Sequence, residues 1–410
     1  MVVFQFPPYE GSSAVQRALR FVQYLPAFGW DPIVLTAQAR AYERVASDPT
    51  ALPAQAHVER AFALDTKRHL SWKGRYPQFL ASPDRWWTWQ WSGTWSGTRL
   101  IRRFAPAVIW STYPIVSAHE IALRLARRSG LPWIADFRDP MVEQDFPEVE
   151  SIRANFAKRE LAYAQTASCF TVTTPGMRDL FEERYAHLRG RLQLELIENG
   201  YDEASFAGMP NDSPPLQAGA VTLLHSGGLY PDIRDPSNLF AAARRLIDRG
   251  VVGADELRFR FRGTGDDSIV FRAAEKQRLQ GNVEALPYIP HVEALREMVA
   301  ADGLVILQGA DCNRQIPAKV YEYMRTRRPI LGITDPAGDT GRAMLDAGYD
   351  CVAALDDVSG IGVMLERFIH ELRSGKLAVA RPDVVHAASR RERTAALAAL
   401  LHRLAETRAR

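Results

Sequence analysis

Lys319 and Glu322 stand three residues apart in the run Ile316-Pro317-Ala318-Lys319-Val320-Tyr321-Glu322-Tyr323. That spacing puts an ammonium and a carboxylate on one face of a helix. As a surface ion pair the order is a poor one. A lysine in the first turn opposes the helix dipole, and Lys before Glu is the weaker arrangement. Facing a ligand, each group gains a role. The ammonium meets a diphosphate, and the carboxylate accepts from the two vicinal hydroxyls of a ribose. The neighbouring sequence suits this chemistry. Gly303-Leu304-Val305-Ile306-Leu307 reads as a buried strand, Pro317 opens a helix running to about Thr326, and the next strand starts at Pro329. The helix therefore begins at the carboxyl end of a strand, where open α/β sheets bind ligands. Its unpaired N–H groups and positive dipole end favour an anion there, most naturally a phosphate.

Further positions of the same kind lie upstream. A strand at 221–225 ends in Ser226-Gly227-Gly228, a turn able to bring backbone N–H groups near a phosphate. Arg234 precedes a helix whose start is marked by Asp235 and Pro236. The alternating strand 257–262 ends in Gly263-Thr264-Gly265, again strand then glycine turn. A short strand at 285–289 and a helix opened by Pro290 and His291 lead on to the 303–307 strand.

The first half repeats this grammar. Strand 2–6 ends at Pro7-Pro8, a loop holding Gly11 follows, then an amphipathic helix over 14–28 and a strand over 32–36. Strand 107–110 precedes a helix over 116–129, with His119 in its first turn, where a histidine is a cap, a packing group or a catalyst. Strand 133–135 runs into Asp136-Phe137-Arg138-Asp139-Pro140, whose three charges form either a site or an internal salt bridge. Residues 71–95 are unusually aromatic. They read as side chains packing into the N-terminal domain and covering an acceptor pocket, with a membrane-interface belt as the other reading. Residues 208–219, with three prolines among Asn, Asp and Ser, read as a linker between domains at 1–207 and 220–388. Residues 389–407 read as a long terminal helix.

At 410 residues the chain exceeds the size at which one core keeps growing, so two domains are expected. With 47% hydrophobic and 24% charged residues it is an ordinary globular composition. A net charge of +3 does not argue for nucleic acid, and the arginine clusters fall on predicted helices; attraction to an anionic membrane surface stays open. Cys169, Cys312 and Cys351 stand far apart, without metal-ligand spacing, which fits a reducing cytoplasm. No secretory signal and no membrane-spanning run is visible, so a soluble or peripheral protein is expected.

The ordered set of motifs resembles the nucleotide-sugar glycosyltransferases of the GT-B fold, closest to the large retaining family four in its bacterial polysaccharide branch. The residues carrying the likeness are Phe6-Pro7-Pro8 with Gly11, Trp133 to Pro140, and Glu198-Asn199-Gly200-Tyr201-Asp202. They continue with His225 to Gly228, Arg234-Asp235-Pro236, Gly263-Thr264-Gly265, Ile316 to Tyr323 and Arg328 to Leu331. The resemblance implies an α/β GT-B fold, two Rossmann-like domains facing across a cleft, with the donor held mainly by the second. Glu322 then matches the second glutamate of the family's Glu-x7-Glu motif, on the ribose. Arg234 and Lys319 hold the diphosphate as it leaves, and Gly11, Gly227, Gly228, Gly263 and Gly265 let backbone approach it. His119, Asp136, Arg138 and Asp139 fall on the acceptor side, and the terminal helix packs back on the first domain. Arg314 occupies the position, eight before Glu322, where the family has its first glutamate, which leaves the donor sugar open.

The expected reaction is transfer of a sugar from a nucleoside diphosphate to a hydroxyl of a glycan or lipid-linked acceptor, with retention and from the leaving-group face. No Asp-x-Asp triplet occurs, so no metal is expected, and no cofactor beyond the donor substrate. The acceptor's proton goes to the departing phosphate, to Asp139 or to His119. Two rival readings remain: a nucleotide-sugar epimerase of the same fold, using histidines such as His225 and His291, and a non-catalytic nucleotide-sugar-binding partner.

Overall fold

The computed structural model describes residues 1–9, 14–46, 52–53, 56–73, 75–209 and 214–409; Gly11 lies outside them. The chain forms two units, one of residues 1–198 and 390–410, the other of residues 199–389.

In unit 1, helix α1 (Ala14–Tyr24) leads through a 3-10 turn (Leu25–Phe28) to strand β1 (Ile33–Ala37) and then β2 (His57–Ala61). The helix expected over 14–28 changes character at Leu25 because Pro26 has no N–H to donate to the preceding turn. Helices α2 (Thr66–His69) and α3 (Trp89–Phe104), strand β3 (Ile109–Thr112), helix α4 (Val116–Ser129) and strand β4 (Trp133–Phe137) follow. Helix α5 (Glu150–Ala164), strand β5 (Cys169–Val172), helix α6 (Pro175–Arg184) and strand β6 (Gln193–Leu196) complete the alternation.

Strands β3 to β6 form one parallel ladder and β1 with β2 another. Val2 joins them, bridging Leu35 on one side and Ser111 on the other. The strand expected over 2–6 is thus reduced to its first residues. Val2 and Phe4 enter the core above the sheet and Val3 the core below. The chain then bends at Phe4 and Gln5, and Phe6 goes below rather than above.

Unit 2 runs β7 (Val221–Ser226), α7 (Ser237–Asp248), β8 (Leu257–Arg262), α8 (Asp267–Lys276), β9 (Val283–Leu286), α9 (His291–Ala300), β10 (Gly303–Leu307) and α10 (Ala318–Thr326). It ends with β11 (Ile330–Ile333), α11 (Asp339–Ala347), β12 (Val352–Ala353), α12 (Val358–Arg373) and α13 (Pro382–Ala387). Its sheet is parallel, in the order β12-β11-β10-β7-β8-β9. All five residues of β10 are buried, as expected of a strand covered on both faces.

The crossing between units falls at Glu198 and Asn199, not at residue 207. Tyr201 and Phe206 are anchored in the unit 2 core with Leu295, Tyr321 and Met324, so residues 208–219, expected as the linker, belong to unit 2. The last helix, α14 (Arg390–Ala409), belongs to unit 1. Its Leu397, Leu400, Leu401 and Leu404 cover Phe21, Val22 and Leu25, and Arg393 pairs with Glu198 at 2.5 Å.

One buried ion pair ties unit 1 together. Arg17 on α1 grips Asp136 through Nε to Oδ2 at 3.1 Å and Nη2 to Oδ1 at 2.8 Å. It also donates to the Glu198 and Ile197 carbonyls at 2.9 and 2.8 Å. Thr112 and Thr171 donate to the two carboxylate oxygens at 2.8 and 2.7 Å. Burial opposes the Asp136 charge, but Arg17 and the two hydroxyls outweigh it and hold the carboxyl below its ordinary value.

Removing one partner of such a pair leaves the other charged and buried, at a cost of about 3–5 kcal/mol. Arg17→Met is expected to lose stability of that size in urea unfolding. The Asp136 contribution is present above the ordinary aspartate value of 3.8 and is lost only as pH falls through its depressed native value. The stability difference between wild type and Asp136→Asn is therefore expected to be flat at neutral pH and to shrink as pH falls from 3.8 through that depressed native value.

Candidate functional site

In unit 2 the chain enters the sheet at β7, moves outward to β8 and β9, then returns to β10 on the other side of β7. Helices after β7 and β10 leave toward opposite faces, which opens a crevice at the carboxyl ends of these two strands. The loops that line it are the ones singled out in the sequence.

Lys319, in the first turn of α10, is partly buried, and its Nζ lies 3.1 Å from Nε2 of His225 on β7. His225 is buried, and its Nδ1 donates to the Val305 carbonyl at 3.0 Å, which leaves Nε2 as an acceptor for the ammonium. Burial first, and then the Lys319 charge, push the imidazole pKa well below its usual value, so the ring is neutral. The ammonium also crosses the glycine turn. A Cβ added to Gly227 would come within 2.7 Å of Lys319 Nζ, and the backbone there has φ +123°, which glycine adopts without strain. Burial, followed by repulsion from Arg234, lowers the Lys319 pKa to about 7 against the opposing pull of Glu322.

Arg234 lies on the same turn. Its Nη1 reaches the Gly228 carbonyl at 3.3 Å and its guanidinium sits 5.4 Å above the Tyr230 ring. Gly263 and Gly265 both take left-handed φ, at +66° and +83°, and the Thr264 carbonyl between them accepts from Leu229 N at 2.9 Å. The two glycine turns are therefore hydrogen-bonded to each other. Tyr288 packs beside Gly263 with its ring largely exposed.

Glu322 accepts from His291 Nε2 at 2.9 Å. Tyr323, one residue on, points the other way and its hydroxyl accepts from Ser226 N at 2.8 Å, pinning α10 to the end of β7. The connection from β10 to α10 is held from inside by Gln308, which donates to the Cys312 and Gln315 carbonyls at 2.6 and 3.0 Å. Pro317, the expected helix start, stands at the N-cap, so the helix begins one residue later at Ala318, and Arg314 is exposed on the loop ahead of it.

The structure thus brings Lys319, Glu322, Arg234, Gly227, Gly228, Gly263 and Gly265 to one end of one sheet. It adds Tyr230, Tyr288 and Tyr323, which the sequence reading missed. Tyr323 lies four residues after Lys319, the spacing of helix neighbours, and that was the available signal.

Unit 1 corrects two expectations. His119 is fully buried, packed against Trp133, Phe137 and Tyr163, with Nδ1 2.8 Å from Ser111 Oγ. Burial lowers its pKa to about 3, so it is a neutral core residue and not a group that meets an acceptor. Asp136 is likewise interior, spent on Arg17. Arg138 turns partly inward, donating to the Tyr113 carbonyl at 2.7 Å and to Gln5 Oε1 at 3.1 Å. Only Asp139 of that run is exposed. Among the described residues, one grouping of possible metal ligands has its atoms within 4.8 Å of one another: Asp350, Cys351 and Glu371. Both carboxylates already bind Arg367.

Comparison with known proteins agrees with this architecture. Residues 13–200 match the family of glycosyl transferase 4-like domains. No curated protein matches the chain. Among solved structures it is similar to sucrose-phosphate synthase from Thermosynechococcus elongatus, with TM-score 0.63, 14% identity, and 97% of this chain and 93% of that chain covered. It is also similar to α,α-trehalose 6-phosphate synthase from Burkholderia multivorans (TM-score 0.66, 12% identity, 99% and 97% covered). WaaG, a glycosyltransferase involved in lipopolysaccharide biosynthesis, matches with TM-score 0.57 and 15% identity, over 100% and 97%. The chain has the GT-B fold. Within this GT-B chain the crevice at β7 and β10 is the parallel-sheet switch point of unit 2.

The charge arrangement there has a measurable signature. Lys319 is expected to titrate near pH 7 by side-chain NMR. Arg234→Met, by removing a repelling charge, is expected to raise that midpoint, and Glu322→Gln to lower it.

Proposed function

We propose that this chain is a retaining glycosyltransferase that moves a sugar from a nucleoside-diphosphate sugar to a hydroxyl of a glycan or lipid-linked acceptor, in polysaccharide or glycoconjugate biosynthesis. The observation that carries the reading is the Lys319 ammonium drawn across the Gly227 turn at the switch point, with Arg234 beside it. Two cations repelling each other in a half-dry crevice are stabilised by an anion between them. The names of the similar structures, sugar-phosphate synthases and a lipopolysaccharide glycosyltransferase, support sugar transfer.

Lys319 and Arg234 bind the diphosphate and stabilise the charge that grows on it as the bond to the anomeric carbon breaks. The glycine turns let backbone N–H groups approach its oxygens. Glu322, oriented by His291, accepts from the ribose hydroxyls, and the exposed Tyr288 ring offers a face to the base. Arg314, eight positions before Glu322, is assigned to the sugar end of the donor in this reading. The acceptor oxygen bonds to the anomeric carbon on the face the diphosphate leaves, and its proton passes to the departing phosphate oxygen. The two cations supply the charge compensation, so the step needs no divalent ion, and the reaction belongs to a cytoplasmic compartment.

His225 and His291 at the same crevice favour one second reading, a nucleotide-sugar epimerase. Incubating the protein with a panel of UDP, GDP and ADP sugars without acceptor separates the cases. Slow release of nucleoside diphosphate supports the transferase and interconversion of sugars the epimerase. Binding without turnover supports a nucleotide-sugar-binding partner.

Glu322→Ala is expected to raise the donor KM by about 10-fold or more, the worth of a charged hydrogen bond. Lys319→Ala is expected to lower kcat by ~100-fold. Undiminished transfer by either variant refutes the donor site. Since free Lys319 is largely neutral above pH 7 and a bound diphosphate favours its charged form, binding of nucleoside diphosphate at pH 8 is expected to take up a proton. Calorimetry in two buffers of different ionisation enthalpy measures it.

A further inference from the structure

Opposite charges one turn apart on a helix close on each other, and this chain shows it with the base first. Arg244 reaches Asp248 at 2.5 Å along α7, and Arg367 reaches Glu371 at 2.7 Å along α12. Lys319 and Glu322, three apart on α10, do not. Among the described residues they form no ion pair with each other, although the Glu322 charge is near enough to pull the Lys319 pKa upward. Both side chains are partly buried, so water screens their attraction less than on an open helix face. Something therefore holds them apart.

Each is held by a histidine. Lys319 Nζ is turned over Gly227 to Nε2 of His225 at 3.1 Å, and Glu322 Oε1 accepts from Nε2 of His291 at 2.9 Å. The two rings come from different elements. His225 lies on β7, its Nδ1 fixed on the Val305 carbonyl at 3.0 Å and its ring 5.9 Å from that of Phe261. His291 opens α9 directly after Pro290, whose φ of −53° is held by its own ring. One imidazole gives the ammonium a lone pair, and the other gives the carboxylate an N–H. Neither contact brings an opposite charge to Lys319, and Oε2 of Glu322 is left without a hydrogen bond among the described residues.

We propose that His225 and His291 are positioning residues: they keep Lys319 and Glu322 from neutralising each other, so that a ligand meets both as open charges. The inference rests on the glycosyltransferase reading, in which those charges take the diphosphate and the ribose. Its test is the Lys319 titration in the full chain, followed by side-chain NMR and assigned by the loss of that signal in Lys319→Arg. The groups facing Lys319 are His225, Arg234 and Glu322. In His225→Phe the freed ammonium swings to Glu322, and the midpoint is expected to rise by about one pH unit or more. A lysine that merely lost its acceptor would stay in place and titrate below the wild-type midpoint of about 7, so the two outcomes have opposite signs. In His291→Ala it is Glu322 that is freed, and the midpoint is expected to rise by about half a unit. Adding Glu322→Gln to either variant is expected to cancel the rise. An unchanged or lowered midpoint in either variant overturns the inference, as does a rise that survives Glu322→Gln. Circular dichroism verifies each fold, and His291 is partly exposed, so its variant decides the question alone if His225→Phe does not fold. No donor or acceptor enters the titration. A flat result therefore strikes this inference alone, whereas a wild type that releases no nucleoside diphosphate from any sugar nucleotide strikes the glycosyltransferase reading.

Discussion

Both units start their sheets in the middle. Val2 lies between β1 and β3, and β7 lies between β8 and β10. A parallel strand entered there must send its following helix to one face, and the strand that later returns on its other side must send its helix to the opposite face. The gap left between them cannot be closed by either helix. In unit 2 that constraint decides where Lys319, Arg234 and the Gly227 turn end up, because they follow the two strands that flank the gap, and the Gly263 turn joins them from the neighbouring β8. Nothing about the individual side chains would gather them there without it.

Inside the gap the arrangement is held by neutral groups so that charge can be left over. His225 gives its one proton to Val305 and offers Lys319 a lone pair, Tyr323 ties α10 to the end of β7, and Gln308 fixes the loop between. Each contact satisfies a buried polar group without cancelling the ammonium. Unit 1 shows the opposite use of similar chemistry. There Arg17 and Asp136 neutralise each other completely, and the neutral His119 fills space among aromatic rings. Residual charge marks the crevice; cancelled charge marks the frame.

What the sequence disclosed follows the same division. Helix 116–129, the strands over 32–36, 221–225, 257–262 and 303–307 and the glycine turns were legible because periodicity, proline and glycine act locally, whereas β2 and β6 were not expected. Lys319 with Glu322 was legible because three residues on a helix fix a shared face. Asp136 was misplaced because its partner, Arg17, is 119 positions away and no local pattern announces a pairing across a sheet. His119 was misplaced for a related reason: its position at the start of α4 is local, but the direction of its ring is set by Trp133 and Tyr163. The linker was drawn at the most proline-rich stretch, whereas the crossing falls where Tyr201 and Phe206 begin to anchor in the second core.

The position of α14 bears on the order in which the chain can assemble during synthesis. Unit 2 is a continuous stretch, so every strand and helix it needs is synthesised before α14. Unit 1 is discontinuous. Until Leu397 to Leu404 emerge, Phe21, Val22 and Leu25 on the underside of its first helix lie open to water. The half translated first is thus the half finished last, and the nascent protein carries a sticky seam for as long as its second half is being built.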